Sequence, residues 1–209
     1  DSVFSSLPAD FVLEEESLIP AVDSSRYAEL AQQAEENYEL IQQMINSARQ
    51  NEVISIPQGI HTISRSIVIN RKTNITIQGI LSSGIILSDI HQPVFIINNS
   101  SNIVLQRLSL GHDTSIIGDH DSAVLRINEG NNIYINSCEI SGDAAIGIKA
   151  VGVQSLTIVN CFVHDNSWFA FSFLKCDNVK VEHSRIIENQ EVMYKRSSDV
   201  VMYSNIIKD

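Results

Sequence analysis

Between Gly111 and Asp121 the chain places two imidazoles and three carboxylates, His112, Asp113, Asp119, His120 and Asp121, within one short polar stretch. Hard oxygen donors at this density are what Ca²⁺ takes, so Asp113, Asp119 and Asp121 are candidate metal ligands. His112 and His120 are candidate substrate-binding groups. Downstream the same residue types recur as Ser141-Gly142-Asp143, His164-Asp165-Asn166 and Glu188-Asn189, with the cations Arg126 and Lys149 close by in sequence. Cations beside carboxylates and imidazoles suit proton abstraction next to a substrate carboxylate, because that proton becomes removable only when the carboxylate charge is neutralised. Arg126 and Lys149 would neutralise, and Asp143, His164 or Asp165 would move the proton. A hydrolase would instead use two carboxylates, for which Asp143 and Asp165 could serve. The competing explanation is plain turn chemistry, since Asp, Asn and Gly favour tight bends whether or not a site is present.

What must position these residues is a repeat. A phrase of one polar residue followed by alternating apolar ones recurs at Asn74-Ile-Thr-Ile, Asn102-Ile-Val-Leu, Asn132-Ile-Tyr-Ile, Ser155-Leu-Thr-Ile, Asn178-Val-Lys-Val and Asp199-Val-Val-Met. Apolar residues follow each start at the first, third, sixth and eighth positions, as in Ile133, Ile135, Cys138 and Ile140. A second strand precedes each start by seven and five residues, giving Phe95/Ile97, Leu125/Ile127, Ile148/Ala150, Phe171/Phe173 and Val192/Tyr194 as inward pairs. Units of 20 to 30 residues, all short strands and no helix, cannot bury their apolar faces alone and must stack. The expected architecture is an all-β parallel solenoid in which repeat columns become ladders about 4.8 Å apart. Asn74, Asn102, Asn132 and Asn178 would form one ladder at a bend, because Asn tolerates left-handed geometry there. Cys138 and Cys161 would share one interior column as packing thiols. Phe169, Phe171 and Phe173 alternate as core residues, and Trp168 before them is a candidate sugar platform.

The segments Val53-Ile-Ser-Ile-Pro-Gln-Gly59-Ile-His-Thr-Ile63 and Asn74-Ile-Thr-Ile-Gln-Gly79, with the later Asn132-Ile-Tyr-Ile-Asn-Ser-Cys138-Glu-Ile-Ser-Gly142, resemble the right-handed parallel β-helix proteins of the pectin lyase-like superfamily. The resemblance covers roughly residues 40 to 209. It implies a right-handed β-helix of about six coils, an N-terminal amphipathic helix covering its open end, and action on polysaccharides, in some relatives with Ca²⁺.

Residues 25–50 carry the helix, with Tyr27, Leu30, Ala31, Ala34, Tyr38, Ile41, Met44, Ile45 and Ala48 at three- and four-residue steps. Residues 1–24 read as an irregular acidic lead-in and 51–209 as the solenoid, a single domain with the helix. Its last residues end without a capping element, an edge that would pair with further chain or another subunit. The formal charge is 14 − 25 = −11. Residues 1–52 hold 11 acidic and 2 basic side chains and residues 53–209 hold 14 and 12, so −9 belongs to the lead-in and helix and −2 to the solenoid. The balance argues against nucleic acid, which demands a basic footprint, but leaves the solenoid free to meet an anionic glycan. No apolar run approaches a membrane span. Three cysteines do not make a disulfide framework. Two function classes follow. One is an extracellular or periplasmic polysaccharide lyase or epimerase acting on uronate-containing glycans; the other is a non-catalytic glycan-binding or adhesin β-helix module of a larger secreted protein.

Overall fold

The structure, a computed structural model, describes residues 24–113, 122–142 and 146–208. One helix, α1 (Ser24–Ser47), precedes the strands. The first coil comprises β1 (Val53–Ile56), β2 (Gly59–Ile63) and β3 (Ile67–Asn70). The second runs through β4 (Thr73–Leu87) and β5 (Phe95–Asn98), and the third through β6 (Ser101–His112) and β7 (Ala123–Asn128). The fourth comprises β8 (Asn131–Asn136), β9 (Glu139–Ser141) and β10 (Ile146–Val151), the fifth β11 (Gln154–Val159), β12 (Phe162–His164) and β13 (Phe169–Leu174). The sixth comprises β14 (Asp177–Glu182), β15 (Arg185–Ile187) and β16 (Glu191–Arg196), and β17 (Val200–Tyr203) and β18 (Ile206–Lys208) begin another. Strands pair in parallel with their equivalents one coil away, giving three stacks around one core. The first stack runs through β8, β11 and β14, the second through β9, β12 and β15, and the third through β7, β10, β13 and β16.

The six phrase starts all sit at positive φ, between 50° and 62°, at the bend from the third stack to the first. This is the geometry that Asn and Asp accept at least cost among residues with a Cβ. The expected ladder forms: the Asn102 side-chain amide donates to Asn74 Oδ1 at 2.6 Å, and that of Asn132 to Asn102 Oδ1 at 2.7 Å. Inside, Ile103, Ile133, Leu156 and Val179 stack in register, as do Leu105, Ile135, Ile158 and Val181, all sealed from water. Cys138 and Cys161 continue a buried column. Contact with Cys161 and burial hold the Cys138 thiol well above its ordinary value, so it packs as a neutral group. Gly79 is required where β4 bulges, since a Cβ there would fall 2.0 Å from the backbone oxygen of Arg107.

The helix covers the open end through Ala34, Ile41, Ile45 and Ala48, which are buried. Its Gln42 completes the edge of β3: the side-chain amide donates to the Val68 carbonyl and its oxygen accepts from the Val68 N–H, both at 2.8 Å. One glutamine thereby stands in for the missing strand. The apolar pattern extends further than the contact, because Tyr27 and Leu30 remain 61% and 59% exposed at the helix start, beyond the first coil's core.

Two inward assignments need correction. Phe169 is not a core stacker: Ala170 and Phe171 are both buried as the chain rounds the corner, which breaks the alternation and turns Phe169 outward onto Ala123 and Ile146. Tyr194 is not inward either. Met193 and Lys195 pair with Phe171 and Phe173, while Tyr194 pairs with the outward-facing Ser172. The bend before Asp199 is one residue shorter than the bend before Asn178, so counting back from Asp199 lands one position off.

Candidate functional site

The corner between the second and third stacks is the variable one, and the residues that could do chemistry collect on its two sides. On the second-stack side, β9, β12 and β15 place Glu139, Phe162 and Arg185 in one outward column, with Ser109 of β6 preceding them. His164 occupies the next outward position of β12. Its Nδ1 lies 2.6 Å from Asp165 Oδ2 and its Nε2 3.1 Å from Glu139 Oε1. The ring is 14% exposed, the two carboxylates 53% and 46%. Ser109 donates to the other oxygen of Glu139 at 2.9 Å. Phe162 stacks on the His164 ring with centroids 3.8 Å apart, and the Arg185 guanidinium lies 4.8 Å over the far neighbour, the Phe162 ring.

Ionised carboxylates only accept hydrogen bonds, so both contacts are satisfied only when a proton sits on each side of the imidazole. The three groups therefore form a short chain along which protons can be held and moved.

The backbone beneath this chain is fixed by two buried asparagines one coil apart. The Asn166 amide donates to the His164 carbonyl at 3.0 Å and to Asn189 Oδ1 at 2.8 Å. The Asn189 amide in turn donates to the carbonyls of Val163 and Ile187 at 3.1 and 2.9 Å. Asp165, next to His164, sits at φ 53°, which swings its carboxylate back toward the imidazole. Sequence reasoning missed Glu139, and it named Asn166 and Asn189 only as corner residues without a role. The asparagines carried a readable signal, their separation being the 23-residue length of a coil.

On the third-stack side, Arg126 and Lys149 are in-register neighbours on β7 and β10, as expected from the repeat. Lys149 is 8% exposed, and the Arg126 Nε is buried without a hydrogen-bond partner. Both belong to a different sheet from His164, whose hydrogen-bond partners Glu139 and Asp165 stand on its own side of the corner. The single band expected from the sequence is therefore two faces. Asp119, His120, Asp121 and Asp143 lie outside the described residues.

His112 is not available to a substrate. It is 4% exposed at the end of β6, its Nε2 donates to the Gln92 carbonyl at 2.8 Å, and its Nδ1 is buried unpaired. Gly142, at φ 138°, closes over it, since a Cβ there would fall 2.8 Å from the His112 backbone nitrogen. Asp113 lines a cavity of about 620 Å³ between α1 and the first coils, away from His164. Among the described residues no group of three His, Cys, Asp or Glu side chains has the arrangement to hold a metal ion.

Burial lowers the pKa of His112 against the opposing pull of the Gln92 carbonyl and of Asp89. Its unfolded value is near 6.5. A depressed folded-state pKa leaves stability intact above that value and removes it as pH falls toward the folded pKa, because the unfolded chain takes the proton first. Urea midpoints should therefore fall more steeply between pH 7.5 and 5 for the natural protein than for His112→Gln. Identical slopes would show that His112 does not titrate with folding.

A family model for the right-handed β-helix region matches residues 94–209, more than half of the chain. The chain is a right-handed β-helix protein. Its fold is shared with a proposed glycosyl hydrolase from Parabacteroides merdae, at 12% identity and a TM-score of 0.63 over 81% of this chain and 86% of that one. A pectin methylesterase variant, solved with a hexasaccharide, aligns at 12% identity and a TM-score of 0.43 over 81% of this chain and 61% of that one. No curated protein matches the sequence. The family match and the Parabacteroides likeness establish the β-helix, and the chemistry rests on the residues. No helix among those described is long and apolar enough to cross a membrane.

Proposed function

We propose that this β-helix protein is a polysaccharide lyase or epimerase acting on uronate-containing glycans outside the cytoplasm, with its chemistry on the face formed by β9, β12 and β15. The observation that carries the reading is His164 held between Asp165 at 2.6 Å and Glu139 at 3.1 Å on an open surface. Glu139, itself bonded by Ser109, fixes the ring through Nε2. The Asp165 and Nδ1 pair is then the acid–base unit. It takes the proton from the carbon next to the uronate carboxylate; the C4–O4 bond breaks as the C4=C5 double bond forms, and the pair delivers the proton to O4. In an epimerase the same carbon would be reprotonated from the opposite face.

The abstraction requires a cation on the substrate carboxylate. Arg185 is a cation on this face, held by its stacking over Phe162. Arg126, across the corner, is assigned to binding a neighbouring uronate of the chain, whereas Lys149 beside it is buried.

The test is a screen of pectate, alginate and other polyuronates, with and without added Ca²⁺, read by ultraviolet absorbance of the new unsaturated ends and by NMR for inverted C5 centres. Unsaturated or epimerised product supports the reading. New reducing ends without unsaturation would assign the two carboxylates flanking His164 to hydrolysis. Binding of a polyuronate without any turnover would leave a non-catalytic glycan-binding module.

A further inference from the structure

Across the corner from His164, Trp168, Phe169, Gln190 and Glu191 line a cleft of about 260 Å³. We propose that this cleft binds one neutral pyranose ring of the glycan, as a subsite separate from the catalytic face. The inference rests on the glycan reading above and adds to it the position and the charge preference of a second contact.

The cleft is built across two coils. Phe169 of β13 and Glu191 of β16 are register partners, and the Glu191 N–H donates to the Trp168 carbonyl at 2.6 Å, fixing floor and wall together. Trp168 is 40% exposed and stands edge-on to Phe169, with ring centroids 6.3 Å apart and planes at 77°. Tyr194 stands beside the cleft and outside its lining, its ring 5.8 Å from that of Phe169. A pyranose has an apolar C–H face that an indole covers well, and a rim of hydroxyls that needs paired donors and acceptors. Gln190 and Glu191 supply that rim. The volume is below the roughly 300 Å³ at which drug-sized sites begin, which suits a single ring.

Charge sets the preference. Glu191 lines the cleft and repels a uronate carboxylate, whereas Arg185 on the catalytic face attracts one. Only residues 165–167 separate His164 from Trp168, so their Cα atoms lie within about 14 Å of one another across the corner. The arrangement selects a glycan in which neutral sugars neighbour uronates.

Trp168 is the one tryptophan in the chain, so intrinsic fluorescence reports on this cleft directly. The experiment titrates His164→Ala protein, which turns substrate over too slowly to interfere, with neutral gluco-, manno- and galacto-oligosaccharides and with oligogalacturonates. The expected result is a saturable shift with at least one neutral series, about tenfold tighter than with oligogalacturonate. Glu191→Gln should bring the two affinities together. Trp168→Ala, followed by calorimetry because the fluorophore is gone, should lose the neutral ligand while its circular dichroism is unchanged. No saturable response to any neutral oligosaccharide, or equal preference that Glu191→Gln does not alter, would overturn the proposal. Neutral binding without polyuronate turnover would sink the catalytic reading and leave this subsite standing. Turnover without neutral binding would do the reverse.

Discussion

Phe171→Ala is expected to lower stability by about 3 to 5 kcal/mol and to unfold the last coils before the first ones. Phe171 is completely buried, its ring stacked on that of Phe173 with centroids 5.6 Å apart and planes at 18°. It pairs in register with Ile148 of the preceding coil and Met193 of the following one. Truncation removes contacts to both neighbours and opens a void that β-strands fixed by ladders on either side cannot close. A typical domain has only about 5 to 15 kcal/mol in total, so a loss of this size is a large fraction of the margin. In a solenoid each coil is stabilised by its neighbours alone, so the weakened interface marks where the stack parts. Urea denaturation should show the lower midpoint. Hydrogen exchange should show β13, β14 and β16 losing protection while β1 to β5 keep theirs. The control is Phe169→Ala, which faces outward and should cost roughly 1 kcal/mol. Equal effects of the two substitutions, or uniform loss of protection along the stack, would contradict the coil assignment.

The contrast between those two phenylalanines also shows what the sequence could disclose. The fold was legible because stacking converts local choices into columns. A bend that needs a left-handed residue repeats as Asn74, Asn102, Asn132, Ser155, Asn178 and Asp199, and all six adopt that conformation. Alternation was readable within strands and failed at corners, where Phe169 turned out and where a bend shortened by one residue moved Tyr194 to the surface. The helix was readable in type and nearly in bounds, but not in how much of its apolar face is covered, since periodicity records which residues share a face and not how far the partner reaches.

The site was legible in part. His164 and Asp165 stood out because imidazole and carboxylate are adjacent. Glu139 did not, because its link to His164 runs diagonally between coils, to the position beside its register partner Phe162. The grouping of Arg126 and Lys149 with His164 failed for a related reason: proximity to a corner in sequence does not say on which side of that corner a side chain emerges. His112 was taken for an exposed ligand because it begins a polar stretch, whereas β6 carries it into a buried position under Gly142.

His164→Ala is expected to reduce turnover of a polyuronate by about a hundred- to ten-thousandfold, the usual worth of a positioned acid–base group, with folding unchanged. The unchanged fold follows from the site's construction. The imidazole sits on the outer face, and what secures the strand beneath it is the backbone carbonyl that Asn166 binds, which an alanine retains. Asp165→Asn should approach the same loss, since an amide facing Nδ1 at that distance cannot pass on a proton. Glu139→Gln should fall less far, because the glutamine oxygen can still accept from Nε2 and hold the ring. Its loss should lie in kcat, as befits a positioning residue. Arg185→Ala should act differently again, lowering kcat and also raising KM for uronate substrates while leaving the neutral ligand of the Trp168 cleft untouched. This ordering separates a working relay from a structural cluster: if Glu139, His164 and Asp165 served only to join strands, all three substitutions would lower the urea midpoint together and leave kcat within a small factor of the natural protein.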